Sequence, residues 1–482
     1  MPLLTLPEDV LVCALACWPA DVIANTVVTC KELNALLDAA VALSLRRLGY
    51  PALPAPRGGR HDTRTHRLQY LQRLACRKWQ TLSAGSSTSY ALVNNHTCLT
   101  WGGSDEEEAA GAPMPSPVPG VSVPIREIAA GDTHALLLAA DGVYSWGGDN
   151  AYGQLGHGNL QPQPTPKRIE ALVRSDGVNH ITQVACGRQH SLVLTIEGDV
   201  CSFGRGSLGR LGLGGTADAL TPQPIKLAVS CEQPSSPSQP SSPSRGTEPM
   251  PRCVHLSAGL FHSMAVSEEG ALYTWGNGTN GRLGHGDTVM QLRPRRVEAL
   301  MDVDIVHASA GSGHSLAVSD NGGLYTWGQG YNGRLGHGNQ ETKPQPALVE
   351  ALAGQTVVSA VAGSEFTIAI TKGGAAFSCG NGDFTGTVWW GRGWVGGSSR
   401  TLLPARIKSL AECQVSQAAA GNAHAMVRTT DGAVFTFGSG SQGQLGHGDF
   451  QERLLPTRVM AAEELERAPS PLMSRPLSPF GV

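Results

Sequence analysis

A ten-residue block recurs seven times along this chain, and that recurrence restricts the fold more than any other feature. The copies read SAGSSTSYAL at Gly85, AAGDTHALLL at Gly131, ACGRQHSLVL at Gly187 and SAGLFHSMAV at Gly259, then SAGSGHSLAV at Gly311, VAGSEFTIAI at Gly363 and AAGNAHAMVR at Gly421. A second mark follows each block: an aromatic residue and a glycine at Trp101, Trp146, Phe203, Trp275, Trp327 and Phe437, with Cys379 replacing the aromatic in the sixth copy. The cleanest spacing is 52 residues, from Gly259 to Gly311 and again to Gly363. Self-similarity at such a period means one supersecondary unit per repeat, stacked on its neighbours.

Each unit reads as four short strands. An apolar strand such as Ile181–Ala185 leads into the Ala-Gly step, and the next runs through His-Ser-Leu-Val-Leu. Pairs such as Asp141-Gly142, Asn321-Gly322 and Asp431-Gly432 supply the positive φ of a tight hairpin. An alternating third strand follows, as in Val143–Trp146 or Leu324–Trp327, and then a glycine-rich loop. Proline next opens a short last strand, as in Pro294–Val297 and Pro456–Val459; lacking an N–H, it belongs on an edge. Seven such sheets around an axis predict an all-β, seven-bladed propeller, with small residues at the Ala-Gly step where the blades crowd together. Leu455–Val459 is expected to complete the sheet begun by Trp79–Ala84 and so close the ring.

Composition agrees and excludes several function classes. Glycine reaches 60 residues and proline 31, as many tight turns require, and 41% hydrophobic residues suffice for a large core. Net charge is −3, so phosphate-driven nucleic-acid binding is not expected. The 11 cysteines include no Cys-x-x-Cys pair, which reads as reduced thiols in a cytosolic or nuclear protein, with no metal or cofactor. Leu11–Ala20 is apolar, but Glu8 and Asp9 precede it where a signal peptide has cations, and no run is long enough to cross a membrane.

The pattern AGxxHS–DGxxYxWGxGxxGxLGHGN, as in Ala310–Asn339, resembles the repeat of the regulator of chromosome condensation family. The resemblance runs from about residue 79 to 460. Thr88 in the first unit and Phe366 in the sixth depart from the His position, and Asn381–Gly397 lacks the Leu-Gly-His-Gly ending. Two stretches read as disordered insertions, 104–123 with an acidic run at Asp105–Glu108 and the Ser-Pro-rich 231–251, and the tail 461–482 is also expected to be disordered. The Ser-Pro pairs of 231–251 suit proline-directed kinases, and a tolerated loop extension explains them equally well.

Ahead of a linker at 49–78, residues 1–48 change character, becoming Ala- and Leu-rich with helical spacing. This segment resembles an F-box: Leu6-Pro7-Glu8-Asp9-Val10-Leu11 matches the motif's opening, Asp21-Val22 its middle and Cys30-Lys31 its basic step. Leu33 stands where tryptophan is usual, and Thr29 where valine is. A helical cap packed on the propeller is the plainer reading of the same residues.

Four Gly-x-Gly-x-x-Gly stretches, beginning at Gly204, Gly276, Gly328 and Gly438, read as turns, because a dinucleotide site needs a helix to follow. His134, His190, His262, His314 and His424 recur after the Ala-Gly step, and His157, His285, His337 and His447 in the Leu-Gly-His-Gly loops. Spread over separate blades they cannot share a metal, and hydrogen bonding to nearby backbone is expected of them. Arg205, Arg210, Arg282 and Arg334 recur in equivalent loops and are expected on one common face. The sixth loop adds Trp389, Trp390, Arg392 and Trp394, residue types that dominate interface hot spots.

An F-box joined to a propeller implies a substrate receptor of a cullin–RING ubiquitin ligase. By that resemblance Leu6, Pro7, Val10, Leu11 and Leu15 contact a Skp-type adaptor bound to cullin, and the propeller holds a target protein. The chain itself then does no chemistry. Guanine-nucleotide exchange on a small GTPase, the activity of the family's founding member, is the alternative, and a plain interaction scaffold is the third. Light-sensing relatives carry a repeated Gly-Trp-Arg-His-Thr pentapeptide, which is absent here.

Overall fold

A computed structural model describes residues 80–93, 97–103, 114–173, 180–228, 247–386 and 400–459. The F-box-like segment, the linker and the Trp389–Trp394 cluster lie outside these residues. Within them are seven four-stranded antiparallel sheets in strict chain order, the seven blades of a propeller. Blade 1 spans Leu82–Ala84, Thr88–Val93, Thr97–Gly102 and Ser116–Pro117; blade 2 spans 125–168, blade 3 181–224, blade 4 253–296, blade 5 305–348, blade 6 357–406 and blade 7 415–458.

The second strand of a blade is buried at every position in four of the seven, as in HALLLA, HSMAVS, HSLAVS and FTIAIT. Its centre is apolar because a neighbouring blade covers each of its faces, and the His, Ser and Thr at its ends are buried with it. Outer strands such as KPQPAL and RLLPTR have no buried position, and their prolines face no further strand. The core lies between blades rather than within them. Leu136, Leu138 and Val143 of blade 2, for example, pack on Ile181, Val184, Val193 and Phe203 of blade 3. The hairpin glycines behave as expected, Gly322 having φ +85°.

Two sequence expectations are corrected. Arg453–Arg458 is the outer strand of blade 7, paired with Val434–Gly438, and does not join blade 1. Blade 1 finds its own fourth strand, Ser116–Pro117, inside the stretch read as an insertion. Likewise Thr247–Pro249, inside the second insertion, pairs with Lys226–Ala228 as an extra hairpin between blades 3 and 4, and Met250 is buried beside it.

With no shared sheet, side chains close the ring together with one backbone bond, Asn422 N to Gly85 O at 3.2 Å. Gln417 Oε1 accepts from Thr81 N at 3.3 Å and Oγ1 at 2.6 Å, while Arg428 Nη1 donates to Leu92 O at 3.1 Å. Leu82, Ala91 and Trp101 pack on Ala419, Met426 and Val434 across the same seam.

Candidate protein-binding face

The loops between third and outer strands share one face with the turns between first and second strands. Arg210, Arg282 and Arg334 show this: each Nη1 donates to a turn carbonyl of the next blade, Leu260 O at 3.3 Å, Ser312 O at 2.9 Å and Ser364 O at 2.7 Å. Their Nε atoms donate to carbonyls in their own loops, all at 2.9 Å. The three are therefore buried clamps between blades and do not form the displayed basic face expected of them. Burial lowers the Arg210 and Arg282 pKa values to about 10. Arg205 alone of the four reaches solvent, stacked 4.4 Å over the Tyr152 ring and bonded to Gln189 Oε1 at 2.7 Å.

The histidines after the Ala-Gly step bind the next blade, not nearby backbone. His134, His190, His262, His314 and His424 place Nε2 at 2.9, 2.9, 2.7, 3.0 and 2.8 Å from the hydroxyls of Ser191, Ser263, Ser315, Thr367 and Ser89. Each hydroxyl donates its own hydrogen to a loop carbonyl: Gln154, Arg210, Arg282, Arg334 or Gln444. The hydroxyl must therefore accept from the imidazole, which puts a proton on Nε2, and burial of an unbonded Nδ1 keeps the rings neutral. Trp101, Trp275 and Trp327 donate to the same carbonyls at 2.9, 3.0 and 2.9 Å. The loop histidines bond hydroxyls of their own blade, as His285 does with Thr274 at 3.0 Å.

Where the histidine is missing, the partner hydroxyl is missing too. Phe366 in blade 6 packs with Ala425, and blade 1's Thr88 precedes a blade that carries Ala135 at the hydroxyl position. His190→Phe and Ser263→Ala are each expected to cost about 2 kcal/mol, the double variant less than their sum by at least about 1 kcal/mol. Urea unfolding of the four proteins measures this, and strict additivity would contradict the coupling.

The axial channel narrows at the glycine ring. Its mouth on the loop face is a cavity of about 160 Å³ lined by the Ala-Gly steps, and its other end opens to about 400 Å³. In the wider end Gln183 bonds Leu256 N and O at 2.7 and 3.0 Å, and His255 and His307 reach Ala308 O and Ala360 O at 2.9 and 2.8 Å. These polar groups bridge successive blades. Among the described residues no three His, Cys, Asp or Glu side chains cluster as metal ligands, and no helix is long and apolar enough to cross a membrane. Burial pushes the Cys98 and Cys379 thiols up to about 12, far from thiolate chemistry.

Sequence reasoning missed Arg188, which lines the channel mouth, and Phe261, whose ring lies 5.7 and 5.3 Å from the guanidiniums of Arg188 and Arg210. A signal existed: the two positions between the glycine and the histidine differ from repeat to repeat, Asp132-Thr133, Arg188-Gln189, Leu260-Phe261 and Ser312-Gly313 among them. The backbone of these turns is held by neighbouring blades, with Leu260 O and Ser312 O accepting from Arg210 and Arg282, while the side chains at the two positions differ from blade to blade.

A family model described as the RCC1-like domain matches residues 47–388, more than half of the chain. The chain belongs to the RCC1-like domain family. RCC1 repeats also match at 415–444 and 431–468. This RCC1-like chain is 34% identical over 394 residues to the ultraviolet-B receptor UVR8 of Arabidopsis thaliana, covering 80% of the chain and 82% of the receptor. It is 32% identical to the human E3 ubiquitin-protein ligase HERC2 over 80% of its own length but spans only 7% of that protein. Yeast Prp20p has the same fold, with a TM-score of 0.62 at 22% identity over 77% of this chain and 87% of that one.

Proposed function

We propose that this RCC1-like chain is a substrate receptor of a cullin–RING ubiquitin ligase, acting by binding and not by catalysis in the cytosol or nucleus. The observation that carries the reading is the F-box-like run Leu6-Pro7-Glu8-Asp9-Val10-Leu11 ahead of an RCC1-like domain. Leu6, Pro7, Val10, Leu11 and Leu15 contact the Skp-type adaptor, and the loop face of the propeller holds the target. Holding a target near a charged conjugating enzyme raises the effective concentration of its lysines, which needs no chemistry from the receptor. Trp389, Trp390, Arg392 and Trp394, which lie outside the described residues, are further candidate contacts for the target by residue type alone.

The full chain is expected to capture a Skp adaptor and cullin, and Leu6→Ala/Pro7→Ala to reduce capture at least about tenfold. Absence of capture by the unmutated chain overturns the reading. The second reading is regulation of a small GTPase. Its support is the likeness in fold to Prp20p, a protein whose binding to Gsp1p and histones has been examined. Accelerated nucleotide release from a panel of GTPases would favour it. Light sensing draws on the similarity to UVR8, but the described tryptophans, Trp101, Trp146, Trp275 and Trp327, sit one to a blade.

A further inference from the structure

Three guanidiniums crowd one aromatic ring on the loop face. The Phe261 ring centroid lies 5.7, 5.3 and 5.8 Å from the guanidinium carbons of Arg188, Arg210 and Arg282. Positive charge here is under-compensated. Arg188 pairs with Asp132 at 3.1 Å, whereas Arg205, Arg210 and Arg282 make no ion pair with any described carboxylate. After burial, the charges of Arg205 and Arg188 are the next causes lowering the Arg210 pKa, and Asp218 and Tyr152 oppose them less strongly. An incoming anion would relieve that repulsion, and would gain from a partly desolvated setting.

The geometry points to a carboxylate-bearing protein segment as the anion. Nucleic acid would need a track of phosphate contacts, and of these four arginines only Arg188 and Arg205 reach solvent. Two neighbouring guanidinium forks instead suit two side-chain carboxylates, which each can grip in bidentate fashion. Tyr152 and Phe261, both half-buried, give the segment an aromatic floor. We propose that Tyr152, Arg188, Arg205 and Phe261 dock an acidic segment of the target protein, its carboxylates pairing with Arg205 and competing with Asp132 for Arg188. This rests on the loop face being the target-binding surface.

The test titrates fluorescein-labelled octaglutamate with the full chain and follows polarisation, with labelled octaserine and oligothymidine as comparisons. Saturable octaglutamate binding is expected, weakened about tenfold by Arg205→Ala or Arg188→Ala and weakened further by salt. Arg295→Ala, which removes an exposed cation paired with Asp287 at the rim of blade 4, is expected to leave it unchanged. No saturable binding, equal loss in Arg295→Ala, or tighter binding of oligothymidine would overturn the proposal. Because adaptor capture is read at the other end of the chain, intact capture with failed octaglutamate binding sinks this proposal and leaves the ligase reading standing.

Discussion

Gly259→Ala is expected to cost at least about 3 kcal/mol, enough to unfold much of the protein under mild denaturant. A Cβ at Gly259 would sit 2.4 Å from the Gly311 carbonyl oxygen and 3.1 Å from the Ala310 Cβ. The same approach recurs around the channel: from Gly85 to Gly131 O at 2.4 Å, Gly131 to Gly187 O and Gly187 to Gly259 O at 2.5 Å, Gly311 to Gly363 O at 2.6 Å, and Gly421 to Gly85 O at 2.5 Å. The obstacle is backbone, so no rotamer change relieves it. The ring is closed, so widening one junction strains the others. Gly215, whose added Cβ would meet nothing within 4 Å, provides the comparison, and its alanine variant is expected within about 0.5 kcal/mol of the parent. Urea midpoints followed by tryptophan fluorescence measure both. An unshifted midpoint for Gly259→Ala would mean that the inner strands are not in the contact described.

Acid is expected to unfold the propeller well above the ordinary carboxylate range. Burial lowers His134 and His424 to about 4 and His262 to about 3, from an ordinary value near 6.5, and drives His190 and His314 down as well. A histidine whose folded pKa is depressed binds its proton more readily when unfolded. Its stabilising contribution is therefore fully present above about pH 6.5 and is lost as pH falls toward the folded value. At pH 5 that amounts to about 2 kcal/mol for each of His134, His262 and His424, with the folded ring still neutral. A proton on Nδ1 would have no partner, since that nitrogen is buried and unbonded in all five rings. His262→Gln is expected to flatten the dependence by one proton while lowering stability at pH 7.5. Stability that stays level between pH 7.5 and pH 5 would contradict the neutral-ring assignment.

Much of this was legible in the residues, for physical reasons. A repeat that marks itself twice, at the Ala-Gly step and at the aromatic-Gly step, counts its own blades. Asn321-Gly322 announces a hairpin because few other pairs tolerate a positive φ, and prolines such as Pro346 and Pro456 announce an edge because they cannot donate to another strand. Arginine was harder to read. Arg205 and Arg210 are five residues apart in one loop, yet one lies over Tyr152 with access to solvent and the other is a buried clamp, a difference that depends on what the next blade offers. The histidines were misjudged for the same reason: their partners, such as Ser263 for His190, lie 73 residues away.

Local pattern alone determined the blade count, the turn chemistry and the tapering of the inner strands, since each follows from backbone preferences within a few residues. Tertiary structure alone decided how the ring closes, which polar residues bridge blades and which remain for a partner. Those outcomes depend on groups brought together only when blade 7 meets blade 1 and each loop meets the turn of its neighbour. Thr81 with Gln417 and Phe261 with Arg210 are such meetings, and neither spacing nor residue type along the chain encodes them.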